Sequence, residues 1–389
     1  MDKFSNCEIN GKDMRIGSYK KHKTRDEEYS SYIPPKLPVD LRLEPLYELM
    51  ERATHSLSKL DGAAETIPSV NLFLYMYVRK EAVLSSQIEG TQSSLSDLIL
   101  FENDRKPNVE ISDVKEVSRY VDALDHGINR LRSGFPLCLR LIKETHEILL
   151  RDTRGKECLP GEFRSSQNWI GGTRPGNAAF VPPEPEILPD YLDNLELYIH
   201  SEGSPILIKA AIAHLQFETI HPFLDGNGRI GRLLIILILC DFGLLKSPLL
   251  YLSLYFKENR RVYYSLMNEV REKGNWEDWI RFFLKGVIEV SDQAVSIISQ
   301  ITALFEVCEA KIAETGRRRF SARAVFEYLK TAPFATATSV ANKLKISVPT
   351  ARSALNALVE LQIIEAEEAD QRSKYYKFQK YVNILDAVR

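Results

Sequence analysis

The sequence predicts a mainly α-helical chain, interrupted once by a β-hairpin and closed by a small module of helices and strands. Three observations predict this. From Leu41 to about residue 314, apolar residues recur at three- and four-residue intervals, the spacing of one helix face. Residues 160–183, from Pro160-Gly161-Glu162-Phe163-Arg164 to Phe180-Val181-Pro182-Pro183, break that pattern with Gly, Pro and Asn. Beyond residue 320, shorter helical patterns end in apolar pairs at strand spacing. A chain of 389 residues is long enough for two or three domains.

Residues 1–34 are polar, charged and read as loosely ordered. Ile33-Pro34-Pro35-Lys36-Leu37-Pro38 is extended, because prolines restrict themselves and their predecessors. Helices are then expected over 43–58, 71–89, 94–101, 112–132, 138–151, 188–200, 205–219, 228–243, 259–272, 275–289 and 291–314. Between them, Gln167-Asn168-Trp169-Ile170 and Ala179-Phe180-Val181 read as two short strands joined through Gly171–Gly176. A structureless loop of that length inside a helical domain is unusual unless it is functional.

The C-terminal module, residues 320–389, has helical segments at Ala322–Leu329, Ser339–Leu344 and Val348–Leu361, with Lys345-Ile346-Ser347 as the turn. Ala351, Leu355, Leu358 and Leu361 form the inward face of the third. Ile363-Ile364 and Tyr375-Tyr376-Lys377-Phe378 bracket a polar segment. Three helices and a two-stranded wing resemble a winged helix-turn-helix, whose third helix reads DNA where DNA is bound. Residues 317–389 hold 13 basic and 7 acidic side chains, while the remainder holds 38 and 46. That asymmetry fits an anionic partner for 320–382. Yet the third helix carries only Arg352, with Arg372, Lys374 and Lys377 on the wing, so DNA and a protein partner stay open.

Bulk properties exclude several classes. A hydrophobic fraction of 44% beside 27% charged residues is that of a globular protein with a substantial core. The apolar run Leu233–Cys240 is too short to span a membrane, and the first residues lack the apolar core of a secretory signal. Five cysteines without a C-x-x-C pair indicate neither a disulfide framework nor a zinc site. A cytoplasmic protein with no membrane partner is expected.

The chemistry concentrates in His221-Pro222-Phe223-Leu224-Asp225-Gly226-Asn227-Gly228-Arg229-Ile230-Gly231-Arg232. The glycine-rich turn runs into a helix, whose first N–H groups lack partners and attract anions. Gly226 and Gly228 let the backbone approach an anion closely. Arg229 and Arg232, three apart, share a face. Asp225 can hold Mg²⁺ against phosphate oxygens, and His221 can take a proton near neutral pH. This set suits a nucleotide's phosphate chain. His214, seven residues before His221, is read as structural, since two helical metal ligands are usually four apart.

The stretch resembles the signature of the Fic (filamentation induced by cAMP) family, His-x-Phe-x-Asp/Glu-Gly-Asn-Gly-Arg-x-x-Arg, at every fixed position. The resemblance implies a Fic-type helical bundle with a β-hairpin flap over 160–183 and a C-terminal winged helix. It divides the chain into an N-terminal helical region (35–110), a catalytic core (111–290), a linker helix (291–319) and the winged module. It implies protein adenylyltransferase activity: AMP passes from ATP to a Tyr, Thr or Ser hydroxyl, with His221 as base and Asp225 on Mg²⁺. Gly226, Asn227 and Gly228 would form the anion hole, Arg229 and Arg232 would hold the β- and γ-phosphates, and Phe223 would anchor the loop. Tyr264 or Tyr263 would wall the adenine, with a core role equally open for either. The target segment would dock along the flap at 164–181 by strand addition.

Ser85-Ser86-Gln87-Ile88-Glu89-Gly90 resembles the family's inhibitory motif, with Ser85, Glu89 and Gly90 at the fixed positions. Glu89 would pair with Arg232 and keep the γ-phosphate out. The resemblance also implies self-association as a homodimer and self-modification. Alternatives are removal of AMP at the same site, with Glu89 orienting water, transfer of UMP or phosphocholine, and a nucleotide-sensing DNA-binding regulator.

Overall fold

The computed structural model describes residues 15–24, 27–65, 70–102, 106–314, 319–370 and 373–386. Residues 1–14 and Arg372, which enter the readings above, lie outside the described residues. The first described element corrects the expectation of a loosely ordered start. Strands β1 (Ser18–Lys23) and β2 (Glu28–Ile33) pair antiparallel, Ser18 opposite Ile33. The polar composition hid them because their order comes from tertiary docking. Tyr32 is buried against Phe180, and its N–H donates to the Val181 carbonyl at 2.9 Å.

The helical body follows in chain order: α1 (Tyr47–Glu65), α2 (Val70–Ile88), α3 (Leu95–Glu102), α4 (Ile111–Arg132), α5 (Leu139–Leu150) and α6 (Leu188–His200). Next come α7 (Ile206–Ile220), α8 (Asn227–Asp241), α9 (Ser253–Glu258), α10 (Arg260–Lys273) and α11 (Trp276–Ala313). At the centre stand α7 and α8. Every residue of α7 from Leu207 to Ile220 is buried, as is α8 from Arg229 to Leu239. Helices apolar all round belong inside, and α4, α5 and α6 pack around this pair. Helix α2 lies against α4 and α9, and also touches α8.

Two details depart from the expected pattern. The helices read over 275–289 and 291–314 are one, because Val287, Val290, Ala294, Ile297 and Ile301 continue a single buried stripe and neither Gly nor Pro occurs between Val287 and Ala313. Between Gln167 and Val181 the hairpin reduces to one bridge, Ile170 to Phe180, since Gly171 and Gly172 at φ 70° and 71° turn the chain at once.

Beyond α11 lie α12 (Arg319–Thr331), β3 (Phe334–Thr336), α13 (Ala337–Leu344), α14 (Val348–Glu360), β4 (Glu365–Asp370), β5 (Ser373–Lys377) and α15 (Gln379–Asp386). The strands form an antiparallel sheet in the order β3-β5-β4. Thr336 and Ser347 cap α13 and α14 through their hydroxyls. Phe305 of α11 enters this module's aromatic core beside Phe326, Phe378 and Tyr381.

Tyr32 joins the hairpin to the body: its hydroxyl accepts from the Gly17 N–H at 3.0 Å and donates to the Arg271 carbonyl at 3.2 Å. Tyr32→Ala should lower the unfolding free energy by about 3 kcal/mol, read by urea denaturation. A change within experimental error would show that the hairpin is not anchored there.

Candidate active site

The loop between α7 and α8 carries the signature, and its backbone is set by residues outside it. His221 ends α7 in the left-handed region, at φ 50° and ψ 60°, while its N–H still donates to the Phe217 carbonyl. A non-glycine residue there is uncommon and must be held. Arg164 Nε donates to the His221 carbonyl at 2.9 Å, and the Arg164 N–H to the Pro222 carbonyl at 2.9 Å. Asn168 Nδ2 reaches the Phe223 carbonyl at 2.9 Å. These two residues of the 160–183 stretch clamp the loop.

The His221 ring keeps one nitrogen for chemistry. Its Nδ1 lies 3.3 Å from the Glu218 carbonyl oxygen, so Nδ1 carries the hydrogen and Nε2 the lone pair. Burial, aided by the charges of Arg164 and Arg271, lowers its pKa to about 4. The imidazole is therefore neutral at physiological pH.

His146 on α5 supports the next part of the loop. Its Nδ1 accepts from the Gly161 N–H at 2.9 Å, and its Nε2 donates to the Asp225 carbonyl at 3.0 Å. Its ring stacks on Phe223 with centroids 3.6 Å apart. The Asp225 side chain is 45% exposed, with Oδ2 3.5 Å from Arg229 Nη2. Gly226 takes φ 76° and opens α8. The first helical bond is from the Ile230 N–H to the Gly226 carbonyl, at 3.0 Å. The N–H groups of Asn227, Gly228 and Arg229 thus precede the ladder, as anion binding requires.

Two motif residues are engaged differently from the expectation. The Asn227 side chain accepts from the Phe223 N–H and donates to the Phe223 carbonyl, both at 2.8 Å. One of its two amide hydrogens braces the loop in this way, and the second amide hydrogen and the backbone N–H are left for an anion. Arg229, also expected on the phosphates, donates from Nη1 to Glu116 of α4 at 3.2 Å. It is held back against the bundle.

Arg232 and Glu89 do meet. Arg232 Nε donates to Ser85 Oγ at 2.8 Å, and Nη2 to the Ser85 carbonyl at 2.9 Å and to Glu89 Oε1 at 2.7 Å. The carboxylate uses one oxygen here, so the contact is not the bidentate one the pairing allows. The Arg232 side chain is 2% exposed and that of Glu89 37%. Burial opposes the charge on Glu89, but Arg232 outweighs it and holds the carboxyl below its ordinary value of 4.5. Glu89 owes its place to the end of α2. The Gly90 N–H bonds the Gln87 carbonyl and the Thr91 N–H the Ser86 carbonyl, with Gly90 at φ 104°. That is a Schellman ending, which glycine suits. Gly228 makes room: a Cβ on it would stand 2.2 Å from Glu89 Oε1.

The two tyrosines separate. Tyr263 is buried, its hydroxyl 2.8 Å from His214 Nε2, and both belong to an aromatic core with Phe256 and Trp279. Tyr264 is 41% exposed, and its hydroxyl feels the charges of Glu89 and Arg232. His146, Arg164, Asn168 and Glu116 were missed by sequence reasoning. Only Arg164 and Asn168 carried a signal, as polar residues in an irregular stretch within a helical domain.

A loop between two buried helices, with a neutral imidazole at one end and a guanidinium at the other, defines a helical fold whose chemistry sits at a helix N-terminus. Residues 47–129 match the Fic/DOC family N-terminal model and residues 136–239 the Fic/DOC family model. The chain therefore carries a Fic/DOC family N-terminal domain and a Fic/DOC family domain. A probable protein adenylyltransferase of Aquifex aeolicus is 36% identical over 115 residues, covering 29% of this chain and 32% of that protein. The protein adenylyltransferase Fic of Drosophila yakuba is 35% identical over 125 residues, covering 31% and 22%. The chain thus spans a third or less of the length of these relatives. The fold is similar to that of a Fic family protein from Desulfovibrio desulfuricans, with TM-score 0.59 at 20% identity over 87% of this chain and 98% of that one. Fic-1 from C. elegans gives 0.51 at 21% identity, over 65% and 74%.

Because burial lowers the pKa values of His221 and His146 to about 4, neither ring should gain a proton between pH 8 and 5. Long-range ¹H–¹⁵N spectra across a pH series check this. A midpoint near the ordinary value of 6.5 for His221 would contradict the geometry.

Proposed function

We propose that this site transfers AMP from ATP to a hydroxyl of a protein side chain (Tyr, Thr or Ser) and that Glu89 restrains it. The observation that carries the reading is the 2.7 Å contact of Glu89 Oε1 with Arg232 Nη2 beside the open N–H groups of α8. A carboxylate stands on the guanidinium where a terminal phosphate would bind. The adenylyltransferase names of the curated relatives support the same chemistry.

His221 Nε2 takes the hydroxyl proton as the oxygen attacks the α-phosphorus. The new O–P bond forms as the bond from the α-phosphorus to its bridging oxygen breaks, and pyrophosphate leaves. The N–H groups of Asn227, Gly228 and Arg229 face the charge that builds up on the phosphate oxygens. Among the described residues no three His, Cys, Asp or Glu side chains gather as a metal cluster. One exposed carboxylate, Asp225, fits Mg²⁺, which keeps most of its ligands as phosphate oxygens and water. Bound there, the metal would spread the leaving group's charge. Arg232 would grip the γ-phosphate once free of Glu89. Arg229 would steady Asp225 or turn outward from Glu116, and Tyr264 would flank the adenine. The target segment would add to the flap near the exposed Trp169 and Ile170.

Since positioning governs such a transfer, Glu89→Gly should raise it at least tenfold, corresponding to about 1.4 kcal/mol of relieved restraint. Mass spectrometry of wild type, Glu89→Gly and Glu89→Gly/His221→Ala incubated with ATP and Mg²⁺ tests both claims. An added AMP on the second protein alone is expected. Equal adducts on the first two would remove the restraint, and an adduct on the third would remove His221 as base.

The C-terminal module has the order of a winged helix-turn-helix, and we assign it partner binding. Its β4 carries the exposed Glu365 and Glu367, so the wing presents acid as well as base. That favours a protein over DNA. A mobility-shift assay with mixed-sequence duplex DNA at about 150 mM salt should show no retardation. Salt-sensitive retardation would restore the DNA reading.

A further inference from the structure

Glu218 stands three residues before His221 on α7 and is buried. Its carbonyl oxygen receives His221 Nδ1–H, as described above. Its carboxyl lies against Gly231, the residue before Arg232. A Cβ on Gly231 would stand 2.4 Å from Glu218 Oε1 and 3.2 Å from His214 Nδ1. Neither of those two buried atoms has a hydrogen-bond partner among the described residues. A buried carboxylate oxygen without a donor is costly. Gly228, three residues before Gly231 and so on the same face of α8, has Arg232 Nη1 3.1 Å from its own Cβ position, so the carboxyl and the guanidinium meet one face of the helix.

The surrounding charges explain the arrangement. Burial raises the Glu218 pKa to about 7, with Arg232 pulling it down, Glu89 pushing it up and Arg271 pulling it down. While Glu89 holds Arg232, the two carboxyls compete for one guanidinium. When Glu89 leaves, the repulsion goes with it and the attraction to Arg232 remains. Glu81, also buried, feels Arg232 too and has one unpartnered oxygen, but its other oxygen accepts from the Tyr120 and Ser253 hydroxyls and it sits on α2, the helix that runs into Glu89. Glu218 belongs to the helix that stays.

We infer that Glu218 is a positioning residue for Arg232, the α7 carboxyl that keeps the guanidinium seated beside the α8 N-terminus after Glu89 withdraws. This rests on the proposal that Arg232 grips the γ-phosphate. It also accounts for Gly231, whose missing side chain admits the Glu218 carboxyl.

Calorimetric titration of ATP and of AMP, with Mg²⁺, into full-length Glu89→Gly and Glu89→Gly/Glu218→Gln proteins tests the inference. The glutamine should weaken ATP about tenfold and leave AMP unchanged, because AMP has no γ-phosphate for Arg232. Glu89→Gly/Gly231→Ala, which displaces the same carboxyl without altering its charge, should repeat the pattern. The ratio of the two affinities is internal to each protein, so a lower folded fraction does not imitate the effect. Equal losses for ATP and AMP, or no loss for either, would overturn it. Glu89→Gly/Arg232→Ala separates the two readings. Loss of ATP affinity there but not with Glu218→Gln sinks the inference alone, whereas indifference to Arg232 sinks the functional proposal with it.

Discussion

The architecture turns on one buried guanidinium. Arg232 enters the core on α8, almost without solvent, and a charge there requires anionic or hydroxyl partners. Ser85 and Glu89 supply them from α2. The same need underlies the proposed binding of a phosphate, because whatever displaces Glu89 must satisfy Arg232 equally well. On the proposed reading, restraint and substrate binding are two occupancies of one cation. A brake made this way needs no separate conformational machine, only a helix end that can yield.

That helix end is set apart from the loop it restrains. The loop is over-determined: Arg164, Asn168, His146 and Asn227 each tie one of its carbonyls or N–H groups. Such bracing keeps His221 in a backbone region it would not otherwise prefer and presents the α8 N–H groups in a constant pose. Glu89, by contrast, projects from the last turn of α2 with over a third of its side chain in solvent. Rigidity lies on the side of the chemistry and freedom on the side of the restraint.

Legibility in the sequence followed the same division. His221, Asp225 and Arg232 could be picked out because they lie within twelve consecutive residues, and Glu89 because Ser85 to Gly90 resembles the family's inhibitory motif. Helices α4 to α8 were readable because their apolar spacing is regular. The supports were not. His146 looks like any helical histidine until Gly161 and Asp225 close on its two nitrogens. Glu116 and Glu218 look like ordinary helical acids until Arg229 and Gly231 fold against them. The bracing of the loop by Asn227 was not legible either, because its partner Phe223 is recognised only once the turn is built. Strands β1 and β2 failed for a related reason, since Tyr32 finds its partner in the flap. Contacts distant in sequence carry no local signal.

The central claim, that Glu89 and a terminal phosphate compete for Arg232, is tested most directly by comparing ATP with ADP. Binding of each to wild type and to Glu89→Gln is measured at equal Mg²⁺. The account predicts that Glu89→Gln strengthens ATP more than ADP, because only ATP brings a γ-phosphate to the freed guanidinium. Equal gains for the two nucleotides, or none, would contradict it.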